Sequence, residues 1–117
     1  MNRVLIGDEE DQHVSIVVLR RDSHDAGDQA WLLTRVSVRA GQWTGKFKAC
    51  VRMEEFVAFR RRLKSLKNSS GQVATYGSLE NWLELRLSAE PSGQLLVRGA
   101  AIDACGTGNL LKFNFGD

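Results

Sequence analysis

Apolar positions recur along this chain in two rhythms, one helical and one extended. Between Met53 and Lys67, the residues Phe56, Phe59, Leu63 and Leu66 are spaced 3, 4 and 3 apart, which lines them up on one stripe of an α-helix. Glu54 and Glu55 fall in the first turn, and Arg60, Arg61, Arg62, Lys64 and Lys67 load the second half. That polarity complements the helix dipole, each exposed charge contributing a few tenths of a kcal/mol. Asn68-Ser-Ser-Gly71 supplies a stop capable of a left-handed turn. The pattern predicts one helix over about residues 52–67.

The flanks read as strands. Val4 to Ile6 is a short first strand or an ordered arm, and Gly7 to Asp11 is a turn. His13 to Arg20 is dense in β-branched residues. Asp22 to Asp28 is a polar turn around Gly27. In Trp31 to Val38 the set Leu32, Thr34, Val36 and Val38 is the core face, with Trp31 and Leu33 half covered on the other. Ala40-Gly41-Gln42 turns the chain into Trp43 to Val51. There Phe47, Ala49 and Val51 share one face, Lys46, Lys48 and Cys50 the other, and Gly45 marks a bulge.

Beyond the helix, Gln72 to Tyr76 offers a short strand. Trp82 to Ser88 has the cleanest period of two, with Leu83, Leu85 and Leu87 opposite Trp82, Glu84 and Arg86. Glu90 to Gly93 is a turn in which Pro91 suits an early position. Gln94 to Ile102 is a strand interrupted by Gly99, Cys105 to Asn109 turns again, and Leu110 to Phe115 closes the chain. Loops this short favour antiparallel hairpins, because parallel pairs need crossovers of about a dozen residues or more. The expectation is an α+β fold: a single antiparallel sheet of about six to eight strands in two meanders, covered on one face by the central helix. Burying the four large helix side chains at about 2 kcal/mol each would hold the layers together. Residues 1–117 are read as one domain.

Composition bears on function more than on fold. Hydrophobic residues make up 43% and charged residues 26%, as in an ordinary globular chain. A net charge of +2 is small for a nucleic-acid-binding domain and excludes an acidic mimic of nucleic acid. The first apolar run is too short for a signal peptide, and no window approaches a membrane span, so the expected location is cytoplasmic and away from membranes. Cys50 and Cys105 are expected as free thiols.

No motif assembles a catalytic, metal or cofactor site. His13 and His24 stand alone, without the further Cys or His ligands a structural zinc needs. Asp22, Asp25 and Asp28 are three apart rather than alternate, and Leu33 stands where a calcium loop needs a bidentate glutamate. Gly106 and Gly108 join two strands, whereas a dinucleotide fingerprint opens a helix. The acidic knot Asp8, Glu9, Glu10, Asp11 is a solvated turn or a docking spot for a basic partner. Trp43 and Trp82, the latter in line with Glu84 and Arg86, either complete the core or place an aromatic on an open sheet face. These features describe a small non-enzymatic protein-binding domain without cofactor or metal. Its candidate contacts are Asp8, Glu9, Glu10, Asp11, Trp43, Trp82, Glu84 and Arg86. The alternatives are self-assembly into a homo-oligomer through open sheet edges, and, less favoured, a nucleic-acid contact through Arg60 to Lys67.

From Val36 to Phe115 the order of apolar periodicities and glycines forms a recognisable layout. A strand leads to Ala40-Gly41-Gln42-Trp43-x-Gly45, then a strand and the helix carrying Met53, Phe56, Phe59, Leu63 and Leu66. Leu83-x-Leu85-x-Leu87, Gly93-x-Leu95-x-Val97-x-Gly99 and Leu111-x-Phe113-x-Phe115 follow. This layout resembles the small bacterial WapI-type immunity proteins and their uncharacterised relatives. The resemblance implies a cytoplasmic protein that binds and neutralises the C-terminal domain of a toxin. It brings no catalytic residues with it.

Overall fold

Alternation fixes which side of each strand is apolar, and short turns fix which strands are neighbours. The computed structural model describes residues 3–22, 30–67, 75–79, 82–89, 94–104 and 108–116. In chain order they form β1 (Arg3–Gly7), β2 (His13–Asp22), β3 (Trp31–Ala40), β4 (Trp43–Arg52), α1 (Met53–Lys67), β5 (Thr75–Leu79), β6 (Leu83–Ala89), β7 (Leu95–Ile102) and β8 (Leu110–Gly116). The first four strands make one antiparallel meander and the last four another, as two separate four-stranded sheets.

The single sheet expected beneath one helix is therefore corrected to two sheets, and simple dimensions give the reason. The 15-residue helix is about 22 Å long and about 10 Å wide, whereas strands lie about 4.8 Å apart. Such a helix covers roughly two strands, and eight apolar strand faces need another layer. Here that layer is the opposite sheet. The inward faces of both sheets and the helix stripe merge in one core, which includes Val14, Ile16 and Val36 of the first sheet, Phe56, Phe59 and Leu63 of α1, and Leu85, Val97 and Phe115 of the second.

Contacts across the seam show how the cover is shared. The ring of Phe59 lies on Gly77, where an added Cβ would stand 3.0 Å from Phe59 Cε1, so α1 packs on the inner side of β5. Leu111 of β8 reaches Gly45 of β4, where a Cβ would be 3.8 Å from its Cδ2. Phe47 of β4 stacks on Trp82, just ahead of β6, with ring centroids 6.1 Å apart. The helix starts directly after β4, and the Met53 amide donates to the Ala30 carbonyl at 3.0 Å, tying its first turn to the start of β3. Leu66 has its backbone in α1, but its side chain lies outside the described residues.

Glycine positions account for the remaining differences. Gly45 makes no bulge: β3 and β4 pair without a break from Trp31 opposite Arg52 to Ala40 opposite Trp43. The irregularity lies instead in β2, between Val18 and Arg20, and leaves Leu19 exposed. Gly99 does not interrupt β7, where it sits between Leu85 and Phe113 and a Cβ would collide with the Phe113 ring. The strand expected at Gln72–Tyr76 begins at Thr75 and runs on to Leu79 through Gly77, whose missing side chain makes room for Phe59. Residues 72–74 and the turn expected at 90–93 lie outside the described residues, as does the turn expected at 22–28 beyond Asp22, which ends β2. Thr34 is fully buried in the core, and its hydroxyl donates to the Ala49 carbonyl at 2.8 Å.

Candidate partner-binding surface

Two turns at one end of the first sheet form a single ordered rim. The residues of β1–β4 at that end line up as Gly7, His13, Arg39 and Thr44, which brings the β1–β2 turn beside the β3–β4 turn. Asp8 to Asp11 occupy the first turn and are exposed. Their backbone is held from several sides. The Asp8 amide donates to Gln12 O and the Asp11 amide to Asp8 O, both at 2.9 Å. The Glu10 amide donates to Asp8 Oδ1 at 2.9 Å. His13 Nδ1 lies 3.0 Å from Asp11 O and 3.2 Å from Asp8 O, so a proton on that nitrogen braces the loop. Glu9 also pairs with Arg3 at 2.8 Å, a surface ion pair of little energetic weight.

Gln12 joins this turn to its neighbour. Its Oε1 accepts the Gly41 amide at 2.8 Å. Gly41 has φ +60°, a conformation in which glycine carries no steric penalty. Two residues further on, Trp43 opens β4 opposite Ala40 and is 72% exposed, so its ring extends past the edge of the core. The sequence signalled the carboxylates and the tryptophan separately. Their union through Gln12 and Gly41 depends on strand register, which neither motif reveals alone.

Glu84 and Arg86 lie on a different surface, the outer face of the second sheet. There Glu84, Ala100 and Lys112 form one cross-strand row, and Arg86, Arg98 and Asn114 the next. Together they line a shallow depression of about 720 Å³ floored by Ala100. Arg86 faces Arg98 directly, a like-charge pair that costs some stability. Arg98, Lys112 and Asn114 were not singled out from the sequence, although each sits at an outward position of an alternating strand. Trp82 does not join this face. It is half-buried and stacked on Phe47, packed against the core at the seam between the sheets.

The other candidates remain dispersed. Cys50 is an exposed free thiol on the outer side of β4, whereas Cys105 and His24 lie outside the described residues. Arg61, Arg62 and Lys64 are exposed along α1. Among the described residues, no group of three or more His, Cys, Asp or Glu is placed to hold a metal ion. No helix among them is long and apolar enough to cross a membrane.

Comparison with known proteins adds one match. The model of the immunity protein WapI-like family matches residues 4–116, nearly the whole chain. No curated protein and no solved structure matches it.

Proposed function

Because the chain belongs to the immunity protein WapI-like family, we propose that it is a non-enzymatic bacterial immunity protein that neutralises a toxin domain by binding it in the cytoplasm. The observation that carries the mechanism is the rim, where two turns are bonded to each other, one carrying four carboxylate residues and the other leading into a 72% exposed tryptophan at the start of β4. Such a surface has little freedom left to lose on docking, which lowers the entropic cost of association. Exposed Trp43 contributes nothing to the core, but it becomes a strong anchor once a partner buries it. Asp8 to Asp11 steer a basic surface toward that anchor. Neutralisation is steric: a toxin domain held against the rim has its working surface covered. Glu84 and Arg86 supply a second contact area on the other sheet, and Trp82 supports both by fixing how the sheets meet.

Co-expression with any toxin domain found encoded beside its gene tests this function, and a neighbourhood without one would count against it. The expected outcome is restored growth and a stoichiometric complex that survives gel filtration. Growth arrest unchanged by the intact, folded chain, with no complex formed, would refute it.

A further inference from the structure

The outward positions of the first sheet carry a field of cations that the rim does not explain. Arg35 and Arg39 project from β3, and Lys46 and Lys48 from β4, all exposed. Arg35 stands directly opposite Lys48, and Lys46 lies in the next row, opposite Ser37. From the row of Gly7, His13, Arg39 and Thr44 to the pair Leu33 and Cys50, no acidic residue occupies the face. No ion pair within the described residues reaches Arg35, Arg39, Lys46 or Lys48.

Like charges placed opposite one another oppose folding, so the arrangement needs a reason outside the fold. Protection of an open edge accounts for lysines on β4, which has β3 as its one neighbour in the sheet. It does not account for Arg35 and Arg39, because β3 is an interior strand paired on both sides. Half-buried Val17 flanks Arg35 on β2, and half-buried Leu33 closes the far end of the cationic field, so apolar area borders the cations.

We propose that this face docks an acidic patch on a protein partner while the adjoining rim of Asp8 to Asp11 seats against a basic patch of the same partner. The proposal rests on the immunity reading and adds the partner's charge pattern to it. A protein surface of mixed sign matches both regions at once. A polyanion such as nucleic acid that continued past Arg39 would run into the carboxylates of the rim. Single strands stack on a series of interleaved aromatic platforms, whereas the outward positions described on this face offer Trp31 alone, at its far corner, 43% exposed and with the Arg52 guanidinium 5.5 Å from the ring centroid.

The experiment titrates the toxin domain encoded beside the gene into the full chain and into two double variants at about 0.05 and 0.3 M NaCl. Arg35→Glu with Lys48→Glu alters the face, whereas Arg61→Glu with Lys64→Glu makes the same change in net charge on the helix. The expected result is an affinity loss of about tenfold or more at low salt for the first, mostly in the association rate, and less than about threefold for the second. Arg35→Glu alone guards against misfolding. It converts a like-charge pair into an opposite one, so its melting temperature should hold or rise while affinity falls. Equal losses in the two double variants, or no loss in the first, overturn the proposal but leave the immunity function standing. A native chain that does not bind the toxin domain overturns both. Labelled RNA or duplex DNA released by the Arg35/Lys48 reversal, with toxin affinity intact, also overturns it.

Discussion

The rings of Phe47 and Trp82 stack with their planes 20° from parallel, linking β4 of one sheet to the turn that opens β6 of the other. Both side chains are partly buried against the core, so this pair helps set how the two meanders sit on each other. Phe47→Ala and Trp82→Ala should each destabilise the fold by about 2 kcal/mol, below the 3–5 kcal/mol typical of fully buried aromatics. The double variant should show a coupling of about 0.5–1.5 kcal/mol in urea unfolding. Strict additivity would mean that the stacking carries no energy of its own.

Two glycines in strands should answer oppositely to alanine. At Gly99 a Cβ would stand 2.8 Å from Leu85 Cδ2 and would collide with Phe113, so Gly99→Ala should cost about 1–3 kcal/mol by overpacking. At Gly45 the nearest atom, Leu111 Cδ2, is 3.8 Å away, an ordinary contact distance. Gly45→Ala should therefore be neutral or stabilising, by up to about 1 kcal/mol, because alanine restricts the unfolded chain. Thermal unfolding of the two variants side by side decides the matter, and similar shifts would show that space at the Cβ is not what separates them.

These glycines also show where sequence reasoning stopped. Period-two alternation located the inward faces of β3 and β6 correctly, and the 3–4–3 spacing located α1, because burial leaves its mark on neighbouring residues of one strand or helix. A glycine leaves no such mark. Gly45 and Gly99 looked like interruptions, and Gly77 looked like the end of a strand, because what fills the vacant Cβ space comes from a different part of the chain. The division into two sheets was closer to legible: the width of one helix set against eight strands already required a second layer. The candidate contacts divided in the same way. Asp8 to Asp11 and Trp43 stand out in the sequence as residue types, although the sequence leaves Trp43 between core and open face, and Gln12 and the opposition of Arg35 to Lys48 depend on register.

Helix α1 should be held chiefly by Phe59. Its side chain is 2% exposed and lies on Gly77, so Phe59→Ala opens a cavity between α1 and β5 and should cost about 3–5 kcal/mol. Val57, 40% exposed on the same helix, should tolerate alanine within about 0.5 kcal/mol. Equal losses at the two positions in denaturant unfolding would contradict the packing of α1 on β5.

The rim separates affinity from stability. Trp43 is 72% exposed, so Trp43→Ala should leave the unfolding midpoint nearly unchanged while removing about 2 kcal/mol of binding to the toxin domain, roughly a thirtyfold weakening. Gln12→Ala acts differently, because it removes the acceptor of the Gly41 amide and unties the two turns. Stability should fall by only about 0.5–1.5 kcal/mol, the net worth of one hydrogen bond. Hydrogen exchange at the Gly41 amide should accelerate, and affinity should drop by about threefold to tenfold although the carboxylates and Trp43 remain in place. Calorimetry of both variants against the toxin domain, with amide exchange on the free protein, distinguishes an anchor from a brace. If Gln12→Ala speeds exchange at Gly41 but leaves affinity untouched, the order of the rim is irrelevant to binding.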